Sequence, residues 1–258
     1  MKNESKIRFA AIIPARYASS RFPGKPLAMI AGKIMIIRVV ERALESVSLV
    51  YVATDDERIF RAVREFGANV VMTSPHHQSG TDRCSEAVEL ISRSEGIKID
   101  AVLNIQGDEP FIRPGQIDLL KSCFDEAGTE VATLVRKTLP GEDIFNPNHP
   151  KVVLDTRGNA IYFSRAVIPF HRDTDAANWS DKHTFYKHLG LYGYTTAALR
   201  KITSLPRSPL EIAESLEQNR WIENGIKIKT AVTGWESISI DTPEDIDRAL
   251  EYHNKFNL

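Results

Sequence analysis

Residues 9–27 read FAAIIPARYASSRFPGKPL, and this stretch decides the fold. FAAIIP (9–14) is a continuous apolar run, as expected of a strand covered on both faces rather than one. It runs into a loop carrying Arg16, Arg21 and Lys25 with Gly24 and the small residues Ala18, Ser19 and Ser20. Three further strand-like runs follow, LVYVAT (49–54), NVVMT (69–73) and AVLNIQ (101–106). Helical periodicity lies between them at about 34–47, 56–66, 82–92 and 115–127. This β–α–β–α–β order predicts a doubly wound, mainly parallel sheet with its sites at the C-terminal ends of the strands.

The rest of the chain predicts a smaller mixed or antiparallel extension. VATLVRK (131–137), KVVLD (151–155), AIYFS (160–164) and HLGLYGY (188–194) read as strands, with TRGN (156–159) as a turn. SPLEIAESLEQNRWIENG (208–225) reads as one helix with Pro209 near its start and Gly225 past its end. IKIKTAV (226–232) alternates with period two, and DTPEDIDRALEYHNKF (241–256) closes the chain as a helix with Thr242 and Asp245 as an approximate capping box. The expectation is a single domain over 1–258, with a core of about 8–136 and 225–256 and an extension of about 137–224.

Composition narrows the function. A chain of 258 residues, 42% hydrophobic and 26% charged, is long enough to bury a core and unlike a disordered chain. A net charge of −1 speaks against general nucleic-acid binding. That balance hides nine Lys/Arg against two acids within residues 1–43, which points to an anionic ligand near the N-terminus; solvated helix charges are the competing reading. Two cysteines without CxxC spacing and no apolar run of the ~18 residues a membrane span needs predict a soluble, cytoplasmic protein with no membrane insertion. Dinucleotide, Walker A and GxSxG signatures are absent, and His183 and His188 lack helical zinc spacing.

Five features carry chemistry. The cations Arg16, Arg21 and Lys25, with free turn amides, suit a triphosphate better than a single carboxylate. In NIQGDEP (104–110), Asp108 ends an apolar strand beside that loop, where a carboxylate next to phosphates suits Mg2+. SISIDTPED (237–245) repeats the geometry, with Asp241 ending a strand just before a helix. Two such carboxylates suit metal-assisted nucleotidyl transfer; turn formation and local capping are the plain alternatives. In HLGLYGY, period two puts His188 and Tyr192 on a polar, aromatic face suited to a sugar. Glu217 falls on the apolar arc of Leu210, Ala213 and Trp221, which is costly unless it is paired, by Arg220 or Arg165, or functional.

Taken together, IPARYASSRFPGKPL (13–27), YVATDDERI (51–59), HHQSGTDR (76–83), NIQGDEP, YFSRAVIP (162–169), HLGLYGY, SPLEIAESLEQNR and IDTPED (240–245) resemble the CMP-Kdo synthetases, the 3-deoxy-manno-octulosonate cytidylyltransferases. The resemblance spans about residues 13–256. It implies a nucleotide-diphospho-sugar transferase fold, CTP and an acidic sugar as substrates, Mg2+ as cofactor, a homodimer and a place in lipopolysaccharide precursor synthesis. It implies nucleotide binding by Pro14, Ala15, Arg16, Arg21, Lys25, Ser79, Gly80, Gln106 and Asp108, with Ser79 and Gly80 against the cytidine. Asp108 and Asp241 become the metal ligands, and Arg16 and Lys25 join them as catalytic groups. Arg83, Gln106, Arg165, His188, Tyr192, Glu217 and Gln218 fall to the sugar, whose carboxylate is held by Arg165 or Arg83 with Gln106. Asp82 stands where the family commonly has Glu, Ile34 where it has Pro and Ser239 where it often has Gly. These departures leave 8-amino-8-deoxy-Kdo open as the sugar. Other classes weighed are a sugar-1-phosphate nucleotidyltransferase, a nucleotide-sugar-dependent glycosyltransferase and a CTP-binding protein without activity.

Overall fold

A computed structural model describes residues 7–19, 21–236 and 238–256. Ser20, named above among the small loop residues, lies outside them, as does Ser237 at the start of the third motif. In chain order the elements are β1 (Phe9–Ala15), β2 (Met29–Ile30), β3 (Lys33–Ile34), α1 (Met35–Leu44), β4 (Val50–Thr54), α2 (Glu57–Glu65) and β5 (Asn69–Met72). Then come α3 (Gly80–Glu95), β6 (Ala101–Asn104), α4 (Pro114–Ser122), β7 (Val131–Lys137), β8 (Lys151–Leu154), β9 (Ala160–Ser164), α5 (Trp179–Lys182) and β10 (Tyr186–Thr195). The chain ends with α6 (Thr196–Thr203), α7 (Pro209–Glu214), α8 (Glu217–Glu223), β11 (Ile228–Thr233) and α9 (Asp245–Phe256). Every strand expected in the first half is present, and 131–137 and 160–164 match to the residue.

The chain divides into two compact units, one of residues 1–118, 193–203 and 237–258, the other of 119–192 and 204–236. In the first unit the strands run β6–β1–β4–β5, all parallel. Ala10 to Ile13 of β1 and Val52 and Ala53 of β4 are wholly buried, which is what their unbroken apolar runs require. α2 and α3 begin on side-chain caps: Asp56 accepts from the Arg58 amide, and Ser79 and Asp82 form both halves of a capping box. The shorter acid at position 82 therefore still closes the box. The hairpin of β2 and β3 is antiparallel and was not expected.

In the second unit β11 lies parallel to β7, β7 neighbours β10, and β8 is antiparallel to both β10 and β9. The boundary differs from the expected one because β7 and β11 pair with each other over six residues, Val131–Arg136 with Ile228–Thr233, and so fall together in this unit. Two sequence expectations are corrected. The single helix over 208–225 is two helices, broken at Ser215, whose φ of 50° is left-handed; an L-residue pays for that conformation and cannot continue a helix. Leu210 and Ala213 therefore share no arc with Glu217, which instead opens α8. Nor do residues 238–240 form a strand; they are held to the loop after β6 by the Ile240 amide donating to the Asp108 carbonyl at 2.9 Å.

Candidate functional site

In the first unit, the chain leaves β1 through Pro14 and Ala15 into the basic loop. Gly24 takes a left-handed φ of 74° and starts a single 3-10 turn over Lys25–Leu27, in whose first positions Pro26 fixes the backbone beside Lys25. The Lys25 ammonium lies 2.6 Å from Asp108 Oδ2 and 3.3 Å from Asp241 Oδ1. Arg21 reaches the same Asp241 oxygen at 3.1 Å. Two carboxylates 133 positions apart in sequence therefore share one cation, the Lys25 ammonium.

Close approach builds the rest of this site. A Cβ on Gly107 would stand 2.9 Å from the Pro14 carbonyl oxygen, and one on Gly80 would stand 3.2 Å from Pro14 Cγ. The two glycines thus let the loops after β6 and before α3 close onto the end of β1. Ser79 and Gly80 sit at the start of α3, where the amides of a 16-residue helix favour negative charge. Arg16 donates to the His77 carbonyl at 2.6 Å, and burial together with nearby Arg83 pushes its pKa down. A desolvated guanidinium beside a second cation is relieved by an anion.

Two Asp carboxylates gathered on one cation are a hard-oxygen donor pair. They suit Mg2+, which takes one or two carboxylates and completes its shell with phosphates and water. Among the described residues no group of three or more His, Cys, Asp or Glu is placed to hold a metal ion.

The proposed sugar residues divide. Arg83 is fully buried, with its guanidinium on Asp55 at 2.9 Å and Thr73 at 2.6 Å. A buried cation needs such partners, and that need explains its presence. Gln106 is half-buried in the loop after β6.

The remaining five belong to the second unit. Arg165 spends three N–H groups on the carbonyls of Glu214, Pro147 and Ser215, which fixes its plane and leaves two donors for a ligand. His188 stacks edge-on against Phe163 and lies 5.2 Å from the Tyr192 ring, which packs on Trp221. Tyr192 is buried rather than surface-exposed, because α8 covers the face expected to be open. Thr133 Oγ1 donates to the Leu191 carbonyl at 2.8 Å and lies 3.1 Å from His188 Nε2. Burial lowers the His188 pKa to about 3 and, with Glu217, raises that of Tyr192. Glu217 is paired with Arg220 at 2.9 Å, the partner its sequence position invited. Gln218 is 5% exposed, and its Nε2 is buried without a hydrogen-bond partner among the described residues.

Sequence reasoning missed three supports. Glu214 accepts from Tyr162, Ser164 and the Arg165 amide and so anchors the 162–165 segment. His77, paired with Glu86, presents the carbonyl that receives Arg16. Thr133 fixes the His188 ring. The buried threonine in an otherwise apolar strand was the one available signal.

Known proteins resemble this chain over most of its length. The family model described as Cytidylyltransferase matches residues 10–228. The 3-deoxy-manno-octulosonate cytidylyltransferase of Parabacteroides distasonis is 54% identical over 250 residues, covering 95% of this chain and 98% of its own. That of Porphyromonas gingivalis is 55% identical over 245 residues, covering 94% and 95%. Among solved structures, CMP:2-keto-3-deoxy-manno-octonic acid synthetase complexed with CTP superposes with a TM-score of 0.85 at 40% identity, over 96% of this chain and 99% of that one.

Proposed function

The chain belongs to the 3-deoxy-manno-octulosonate cytidylyltransferase family, and from that premise we propose that it transfers a cytidylyl group from CTP to 3-deoxy-D-manno-octulosonate, releasing pyrophosphate. The observation that carries this reading is the single ammonium shared by Asp108 and Asp241 at the mouth of a basic loop.

In the reaction the anomeric C2 hydroxyl of the sugar attacks the α-phosphorus in line, the P–O bond to the β-phosphate breaks, and the hydroxyl proton is lost to solvent. Asp108 and Asp241 would hold Mg2+, which lowers the pKa of the attacking hydroxyl and neutralises charge on the α-phosphate. Arg16 and Lys25 bind the β- and γ-phosphates and stabilise the charge that develops on the leaving pyrophosphate. Pro14, Ala15, Ser79 and Gly80 seat the nucleotide where the glycines allow close backbone approach, and Arg21 and Gln106 lie at its edge. Arg165 takes the sugar carboxylate with its two remaining donors, since Arg83 is committed elsewhere. His188, Tyr192, Glu217 and Gln218 meet the sugar hydroxyls; the unpaired Gln218 donor has a partner to gain there.

A coupled pyrophosphate-release assay tests the reading. CTP with 3-deoxy-manno-octulosonate should turn over, and UTP should not replace CTP. The 8-amino analogue, sialate and a sugar 1-phosphate are the comparison acceptors; faster turnover with any of them reassigns the sugar, and no pyrophosphate with any acceptor removes the activity.

A further inference from the structure

We propose that His253, near the end of α9, is a positioning residue that sets the spacing of the Asp108 and Asp241 carboxylates through the ring of Phe111. This rests on the reading of those two aspartates as the metal-holding pair.

Asp241 is fixed to the start of α9, where the Asp245 carboxylate accepts from the amides of both Asp241 and Thr242 at 2.9 Å. Asp108 is joined to Phe111 by two successive turns, Glu109 amide to Gln106 carbonyl and Ile112 amide to Glu109 carbonyl. Phe111 is buried, and its ring stacks on that of His253 with centroids 5.2 Å apart and planes 16° from parallel. The same helix therefore holds Asp241 at its first turn and Asp108, by way of this stack, near its last.

The surrounding packing supports that route. Phe111, Ile240 and Ala249 share one buried cluster with Ile30 and Met35, and Phe22 and Ala28 pack against it from either side of Lys25. All three members of the shared ion pair thus spring from segments rooted in one apolar cluster. The Nδ1 of His253 gains no hydrogen bond from this place, being buried without a partner among the described residues. Burial and nearby Arg38 and Arg42 lower its pKa. Plain filling would be served by any aliphatic side chain; a flat ring opposite Phe111 also limits rotation of that ring.

The test uses the full chain and Mn2+ as probe, counted by EPR of the free ion at 15 °C. His253→Ala should weaken Mn2+ binding about tenfold, the usual effect of losing a group that orients metal ligands. It should raise the half-activating Mg2+ concentration in pyrophosphate release by a similar factor. CTP affinity without metal should stay within about twofold. His253→Phe, which keeps the stack, should restore both metal values. If His253→Ala does not fold, His253→Leu, which keeps bulk but not the flat ring, takes its place against His253→Phe. A lowered melting temperature with unchanged Mn2+ binding assigns His253 to structure alone and overturns the proposal, as does a His253→Phe protein no better than the alanine variant. Asp108→Asn separates the premise: if it binds Mn2+ like wild type, the metal reading itself falls and takes the proposal with it.

Discussion

In the first unit the candidate ligand groups answer to one another across ion pairs that a ligand can exchange; in the second they are tied into the protein. Lys25 rests on two carboxylates, Arg21 is largely exposed, and both aspartates keep solvent contact. By contrast, Arg165 is pinned by three carbonyls, Glu217 by Arg220, and His188 and Tyr192 by rings and a threonine. A nucleotide triphosphate with a metal brings its own charges and displaces such ion pairs at little cost. A sugar acid brings one carboxylate and otherwise neutral hydroxyls, so the groups that recognise it must be held in place beforehand. Substitutions should therefore act differently in the two units.

The largest effects belong to the exchangeable pairs. Asp108→Asn and Asp241→Asn should each lower kcat by about 10²–10³ in the pyrophosphate assay at saturating Mg2+, with the melting temperature little changed because Lys25 keeps one carboxylate in either variant. Near-normal turnover in either would break the comparison at its root. Lys25→Met should split two readouts. Its kcat/KM for CTP should fall about 10²-fold, while Mn2+ binding without nucleotide should tighten, since no ammonium then competes for the paired oxygens. A loss in both would show that Lys25 holds the aspartates in position rather than occupying their shared ground.

This contrast also explains how much could be read beforehand. The parallel sheet was legible because β1, β4 and β6 are unbroken apolar runs whose burial leaves no other choice. The ion-paired site was legible because charges clustered at strand ends have few structural reasons to be there: Arg16, Lys25, Asp108 and Asp241 stood out one by one. The break at Ser215 was not, since a left-handed serine carries no local signature and is imposed by packing on both sides. The surroundings of Arg83 were hidden for a related reason. A fully buried arginine and a ligand-binding one are the same letter, and only Asp55, 28 positions upstream, tells them apart. Tyr192 was placed on an open face by strand alternation, which says nothing of a helix laid over that face.

In the second unit the expected effects are smaller and more selective. Arg165→Lys should raise KM for the sugar about tenfold and leave that for CTP unchanged, because an ammonium cannot reproduce a planar group already seated on three carbonyls. An equal effect on CTP would contradict the separation drawn between the units.

The last effect sits in His188 and concerns stability rather than turnover. Its imidazole titrates near 6.5 in the unfolded chain but at about 3 when enclosed by Phe163 and Tyr192. Above pH 6.5 both forms are neutral and the group makes no pH-dependent contribution. As pH falls from there towards 3, the unfolded chain binds a proton that the native ring refuses, so stability declines by at most about 1.4 kcal/mol per pH unit from this residue. Urea midpoints at pH 7, 6 and 5 measure it. Other histidines, such as His149 and His183, shift in the same direction, so the informative quantity is the difference between wild type and His188→Gln. That difference should shrink as the solution is acidified, because the variant has nothing to protonate at this position. A gap that stays constant across the series would mean that water reaches the ring, and that His188 is held far less tightly than the nucleotide-side groups to which it has been contrasted.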